Sequence, residues 1–317
     1  MDNERIVLAY VGAVGRSGTT LIDRMVGQLP GAISVGEVVH LWYRGVLENQ
    51  RCGCGAHFAD CPFWQAVGEQ AYGGWSRGHA ERVLSLKAAV DRTRHVPRMA
   101  RPTGRFAVDL QDLRAELQPL YAAVRSVSGA RVVVDSSKHA SYAYVLRGMP
   151  ETDLRLIHVV RAVEGVVHSS RKVVSRPETD GAEEMPRYSA QRVSVRWVAQ
   201  NLLLDRLRKT GCSGRLVRYE DAMADPQAMM QTLGSLLDLD GDDVSYLSDH
   251  TVTLRPAHTV AGNPMRFTTG EVTLRQDDGW RTGLPTAPRV VARSITAPVA
   301  GRFGYPPTRA LRASVER

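Results

Sequence analysis

Four polar residues, Arg16, Glu37, Lys138 and Arg161, each follow the end of a short apolar run rich in β-branched residues. Such runs read as buried strands. Two arginines, a lysine and a carboxylate gathered on one rim could bind an anionic ligand and take a proton from a group beside it. The first of them sits in "YVGAVGRSGTTLIDRMVGQLPG" (10–31), a strand end, a glycine-rich turn and an amphipathic helix. Gly12, Gly15 and Gly18 let the backbone turn tightly and approach a ligand closely. A helix starting near Thr19 presents unpaired amides and a partial positive charge, and Thr19 and Thr20 add hydroxyl donors. That combination grips a phosphate. Nucleotide-hydrolysing P-loops place a lysine directly after the last glycine, whereas Thr19 stands there and Arg16 precedes Gly18. An ATP-dependent kinase of the same fold therefore lacks its lysine. Asp135, after "VVV", imitates the Mg²⁺-binding aspartate of such enzymes and loses that reading with the lysine.

Strands are expected at 5–11, 32–37, 130–138, 153–161 and 214–221, and helices at 19–29, 162–174, 194–211 and 226–239. Residues 71–130 carry helical patterns, 175–187 read as a polar surface loop, and the last 70 residues look irregular, with a short helix near 288–297. The alternation predicts an α/β fold: a P-loop-like parallel sheet flanked by helices on both faces, with a helical insertion on the acceptor side. One domain is expected over 1–317, with its core at 5–42 and 130–240, the helical insertion at 65–130 and a nucleotide-covering segment at 255–285. Ligands of such sheets bind at the carboxyl ends of the strands.

The 317 residues are 43% apolar, enough for a sizeable core, and carry a net charge of +8, which suits an anionic ligand. The positive charge is spread along the chain, mostly as arginine, and no aromatic-rich RNA motif accompanies it, so nucleic acid is not an expected partner. The stretch 91–105 reads as a solvated arginine face, with a face toward an anionic acceptor as the alternative. No basic leader with a long apolar stretch opens the chain, and no run reaches the roughly 18 apolar residues of a membrane helix. A cytoplasmic protein without membrane insertion is expected. Cys52, Cys54 and Cys61 with His57 among them suggest zinc, but the usual two-plus-two spacing is absent. A disulfide is the other alternative, and a reduced, packed loop is the expectation, with no residue assigned as a metal ligand.

"GRSGTTL" resembles the 5′-phosphosulfate loop of sulfotransferases that use 3′-phosphoadenosine 5′-phosphosulfate (PAPS). "VVRAVEGVVHSSRK" resembles the 3′-phosphate motif of that family, an arginine at a strand end with a serine eight residues on, here Arg161 and Ser169. Many members read Arg-Asp-Pro at this strand end; here it is Arg-Ala-Val. The likeness covers 5–42, 131–175 and 215–237 well, is weaker at 258–285 and is absent from about 70 to 130. It implies PAPS as co-substrate, no required metal, and a hydroxyl-bearing small-molecule acceptor, with a tyrosyl peptide as the alternative. Gly15, Arg16, Ser17, Gly18, Thr19 and Thr20 would hold the 5′ end, and Arg161 and Ser169 the 3′-phosphate, with Arg266 adding charge there. Tyr219 is counted among the nucleotide contacts, and Trp280 stacks on adenine or packs in the core. Arg16 and Lys138 would stabilise the leaving oxygen, and Ser137 would add a hydroxyl to the same site. Glu37 matches the glutamate base of the tyrosylprotein enzymes, and partial burial is expected to raise its pKa toward working pH. His139, beside Lys138, is the rival base.

Overall fold

Ile6–Ala13 (β1) is the central strand of a five-stranded parallel sheet in the computed structural model, which describes residues 5–179, 183–248 and 250–305. Its neighbours are Ala32–Gly36 (β2), Val132–Lys138 (β3), Thr152–Val160 (β4) and Ser213–Arg218 (β5), in the order β2-β3-β1-β4-β5. Ile6, Leu8 and Tyr10 of β1 enter the core on one face, and Ala9, Val11 and Ala13 enter it on the other. A strand covered on both faces has no polar side to alternate with, which is why its sequence is one apolar run.

Thr19–Val26 (α1) follows the glycine turn and buries Leu21, Ile22, Met25 and Val26. Between β2 and β3 lie Pro62–Tyr72 (α2), Arg77–Val90 (α3), Val96–Met99 (α4) and Gly104–Ser128 (α5). Leu110, Leu113, Leu117, Leu120 and Val124 give α5 its apolar stripe. Ala140–Leu146 (α6), Val163–Arg171 (α7), Ala190–Lys209 (α8), Tyr219–Ala224 (α9) and Pro226–Leu237 (α10) connect or follow the later strands. The α/β architecture read from the sequence is the one observed. Among the described residues no helix is long and apolar enough to cross a membrane.

Register places the chemistry. Gly12 pairs with Lys138 after a shift past Tyr10, so the end of β3 lies beside the glycine turn. Gly36 pairs with Asp135, which sets Glu37 next to the same end. From β1 the chain builds β2 and β3 on one side and then crosses to β4 and β5 on the other, and the crevice of such a sheet opens where that reversal occurs.

The described residues between 250 and 305 are more ordered than the composition of this segment suggests. Thr251–Leu254 (β6) and Gly270–Thr273 (β7) pair antiparallel, and Trp280–Gly283 (α11) and Thr286–Ala300 (α12) follow. Between β6 and β7 the chain returns to the main sheet: Val260 N donates to Val35 O at 2.9 Å and Glu37 N to Val260 O at 2.7 Å. Arg24 of α1 donates to the carbonyls of Met265, Thr268 and Arg255. Buried arginines holding carbonyls order a segment that has no hydrophobic period of its own. In the polar stretch 175–187, Ser175 pairs with Glu184, and residues 180–182 lie outside the described residues.

Candidate active site

The turn after β1 is held open by backbone conformation. Gly18 has φ 83°, the left-handed region, and any Cβ there would lie 2.5 Å from the Tyr219 ring. Arg16 also has positive φ, 73°, which costs a non-glycine residue about 1–2 kcal/mol. Leu21 N and Ile22 N both donate to Gly18 O, so the amides from Gly15 to Thr20 precede the helical ladder and are left unpaired by it. A Cβ built on Gly15 meets nothing within 4 Å. Ser17 and Thr19 are buried in the base of the turn, and Arg16 and Thr20 are half-buried.

A second cation reaches this turn from β4. Arg161, only 5% exposed, donates from Nη1 to Arg16 O at 3.2 Å. Its Nη2 donates to Asp277 O at 2.9 Å and lies 3.2 Å from Asp277 Oδ2. The guanidinium sits 4.4 Å above the centre of the Tyr219 ring. It also covers Gly165, where a Cβ would be 2.8 Å from Arg161 Nε. Half-buried Ser169 lies one turn beyond Gly165 on the same face of α7. Lys172 Nζ adds a third charge 3.4 Å from Asp277 Oδ2. Burial pushes the Asp277 carboxyl up, but Arg161 and Lys172 outweigh it and hold the pKa below the usual range. Nothing in the spacing of the sequence marked Asp277 as the carboxylate that meets Arg161.

Glu37, 9% exposed, forms a close ion pair through Oε1 with Lys138 Nζ, and its Oε2 lies 3.6 Å from His40 Nε2. Burial pushes the carboxyl up, but Lys138 and His40 together hold it at about 2. The rise expected from burial is therefore reversed, because the chain brings Lys138 from β3 onto the same oxygen. His40 is pushed down to about 3, chiefly by burial and despite Glu37, so its ring is neutral. His139 is exposed on the same rim, its ring 6.1 Å from that of His40 and perpendicular to it. His40 went unnoticed in the sequence; its position three residues after Glu37, in the helical turn Val38–His40, is the signal that marks it.

Behind this pair, Ser137 is buried and serves the backbone, not the ligand. Its hydroxyl donates to Asp135 and accepts from Val39 N at 2.9 Å, which fixes the turn after Glu37. The hydroxyl expected at the leaving group is thereby corrected. Asp135 also accepts from Ser137 N and the Tyr121 hydroxyl, and burial raises its pKa to about 6. Both of its oxygens are occupied by protein donors, in keeping with the rejected Mg²⁺ role.

Residues 9–243 match the model of the family described as "Sulfotransferase family". The chain belongs to the sulfotransferase family. No curated protein matches it. Among solved structures, the "Sulfotransferase Domain from the Curacin Biosynthetic Pathway" is similar at 16% identity and a TM-score of 0.48, covering 95% of this chain and 98% of that one. The "Sulfotransferase Domain from the Synechococcus PCC 7002 Olefin Synthase" is similar at 19% identity and a TM-score of 0.45, covering 94% of each.

Three other expectations can be placed on the sulfotransferase. Arg266, 1% exposed, is turned into the interior. It donates to Thr259 O at 2.7 Å and Arg51 O at 2.6 Å, stapling two loops together. A guanidinium committed to two carbonyls in the interior would have to abandon both to reach a ligand. Trp280 is half-buried, with the Arg281 guanidinium 5.0 Å from its ring and that of Arg289 at 5.9 Å. The arginines of 91–105 are exposed, and Arg98 lies over the Phe106 ring at 4.3 Å.

Proposed function

We propose that this sulfotransferase moves the sulfuryl group of PAPS to a hydroxyl of a small-molecule acceptor, a natural product or glycan, and releases adenosine 3′,5′-bisphosphate. The observation that carries this reading is the meeting of two anion stations: Arg161, beside the face of Ser169, is hydrogen-bonded to the carbonyl of Arg16 in the glycine turn. A ligand with phosphates on the 3′ and 5′ positions of one ribose fits stations joined in this way. The open space at Gly15 and the amides ahead of α1 suit the 5′ end, and Arg161 with Ser169 suits the 3′-phosphate.

The donor, when bound, supplies the sulfuryl group and an anionic leaving phosphate. Arg16 and Lys138 provide positive charge where that oxygen becomes anionic. Glu37 takes the acceptor proton. While Lys138 is bound to it, a carboxylate with a pKa of about 2 is too weak a base for an alcohol. Turning Lys138 toward the glycine turn leaves Glu37 with burial as the dominant influence, and its basicity rises. Base strength is thus coupled to occupancy of the anion site.

The test combines binding and turnover. Adenosine 3′,5′-bisphosphate should raise the melting temperature far more than ATP with Mg²⁺. Glu37→Gln should lower turnover by roughly 10²–10⁴-fold while leaving bisphosphate binding intact. Equal stabilisation by the two nucleotides would remove the donor assignment. Normal turnover in Glu37→Gln alongside an inactive His139→Ala would move the base to His139.

A further inference from the structure

Cys52, Cys54, Cys61 and His258 converge so that their ligand atoms all lie within 4.8 Å of one another. The histidine is not the one that neighbours the cysteines in sequence. His57 turns its Nδ1 to Asn49 O at 3.0 Å, and His258 arrives from the segment after β6. The sulfur pairs Cys52–Cys61 and Cys54–Cys61 are 3.7 and 3.8 Å apart, and His258 Nδ1 is 3.3 Å from Cys61 Sγ and 3.9 Å from Cys52 Sγ. A disulfide would need about 2.05 Å. A tetrahedral ion with bonds of about 2.3 Å to sulfur and 2.0–2.1 Å to nitrogen sets sulfurs about 3.8 Å apart and sulfur from nitrogen about 3.6 Å. The observed separations scatter around those two values.

The surroundings hold the ligands before any ion arrives. Cys52 N donates to Ala56 O, and Gly55 N to Cys52 O, both at 2.8 Å, so the first two cysteines lie on a tight turn. Gly53 N donates to Thr259 O at 2.9 Å, and a Cβ on Gly53 would fall 2.3 Å from Thr259 Oγ1. Trp64 Nε1 donates to His258 O at 3.0 Å, and the Phe63 ring stacks on the His258 ring at 4.8 Å. Buried Arg266 joins the carbonyls of Arg51 and Thr259, one on each wall.

We infer that these four residues form a structural zinc site of the three-cysteine, one-histidine type, which pins the loop 51–61 to the segment 257–262 beside the active site. Three soft thiolates and an imidazole in tetrahedral array select zinc among common divalent ions. The thiol protons leave to solvent as the ion binds, with no redox change. Three thiolates and a neutral imidazole around Zn²⁺ leave one net negative charge, and the Arg266 guanidinium compensates it from the adjacent walls. The site is closed, with four protein ligands and none left for a substrate, so its role is to position. Two residues beyond His258, Val260 bonds to both Val35 and Glu37, and a Cβ on Gly262 would lie 3.0 Å from Glu37 Oε1. The ion therefore fixes one wall of the Glu37 pocket.

The test is metal content of the purified full chain, measured by elemental analysis after expression with zinc and under reducing conditions. About one zinc per chain is expected. Exchange with Co²⁺ should give thiolate-to-cobalt charge-transfer absorption and the visible bands of a tetrahedral ion. His258→Ala and Cys54→Ser should lower zinc affinity at least about tenfold, whereas His57→Ala should leave content unchanged. No zinc above background would overturn the inference, as would an iron–sulfur chromophore or loss of zinc in His57→Ala but not in His258→Ala. If the ligand variants fail to fold, the zinc content and cobalt spectrum of the unmodified chain decide the matter alone.

Discussion

Replacing Lys138 with methionine removes the cation from the Glu37 carboxylate while keeping most of the side-chain volume. In the native protein Glu37 is held at about 2 against an ordinary 4.5. At 1.36 kcal/mol per unit, that difference is about 3 kcal/mol of stability. Because the folded-state pKa is depressed, the contribution is complete above pH 4.5 and lost as pH falls toward about 2. Breaking a buried ion pair by removing one partner costs about 3–5 kcal/mol, which agrees in size. In Lys138→Met, burial remains the largest influence on Glu37 and raises its pKa above 4.5, so the sign changes. The variant loses stability as pH rises from 4.5 through that raised value. Urea unfolding of both proteins at several pH values between 4.5 and 8 should show a deficit of at least about 3 kcal/mol at pH 8 that narrows toward pH 4.5. In the double variant Glu37→Gln/Lys138→Met, the narrowing should disappear. A deficit that is the same at both ends of the range, or one that still narrows without Glu37, would refute the reasoning.

Asp277→Asn should tighten adenosine 3′,5′-bisphosphate binding roughly 10-fold by calorimetry, since a charge-assisted contact to Arg161 no longer competes; weaker binding would mean that Asp277 positions Arg161. Gly165→Ala should lower the same affinity by displacing Arg161, measured by calorimetry, with the helix-propensity gain of about 1 kcal/mol offsetting part of the lost Arg161 contacts. Unchanged affinity would place the ligand away from Arg161. Tyr121→Phe should cost about 1–3 kcal/mol in denaturant unfolding by depriving buried Asp135 of a donor, without altering nucleotide affinity.

Much of the site is legible in the sequence because its parts are local. The glycine turn, Thr19 and Thr20, and the strand ends before Glu37, Lys138 and Arg161 depend on neighbours within a few residues. What escapes reading is whatever depends on a partner far along the chain. Lys138 lies 101 residues from Glu37, and its arrival sends the carboxylate below its ordinary pKa instead of above it. An arginine in a loop reads the same whether it faces water or the interior, so Arg266 was legible as a cation but not as a staple. The cysteine loop shows three ligands, while His258 stands 197 residues after Cys61 and no spacing rule connects them.

The contact of Val260 with β2 has a consequence for how much chain the protein needs. β2 is the outermost strand on its side of the main sheet, and such a strand invites another chain to add to it. Val260 occupies that border at Val35 and Glu37. A fragment cut after residue 243, where the family match ends, would keep every strand of the main sheet yet lose this cover. Such a fragment should self-associate through the bared margin of β2, which would make the segment beyond the family boundary a guard against aggregation as well as a neighbour of Glu37.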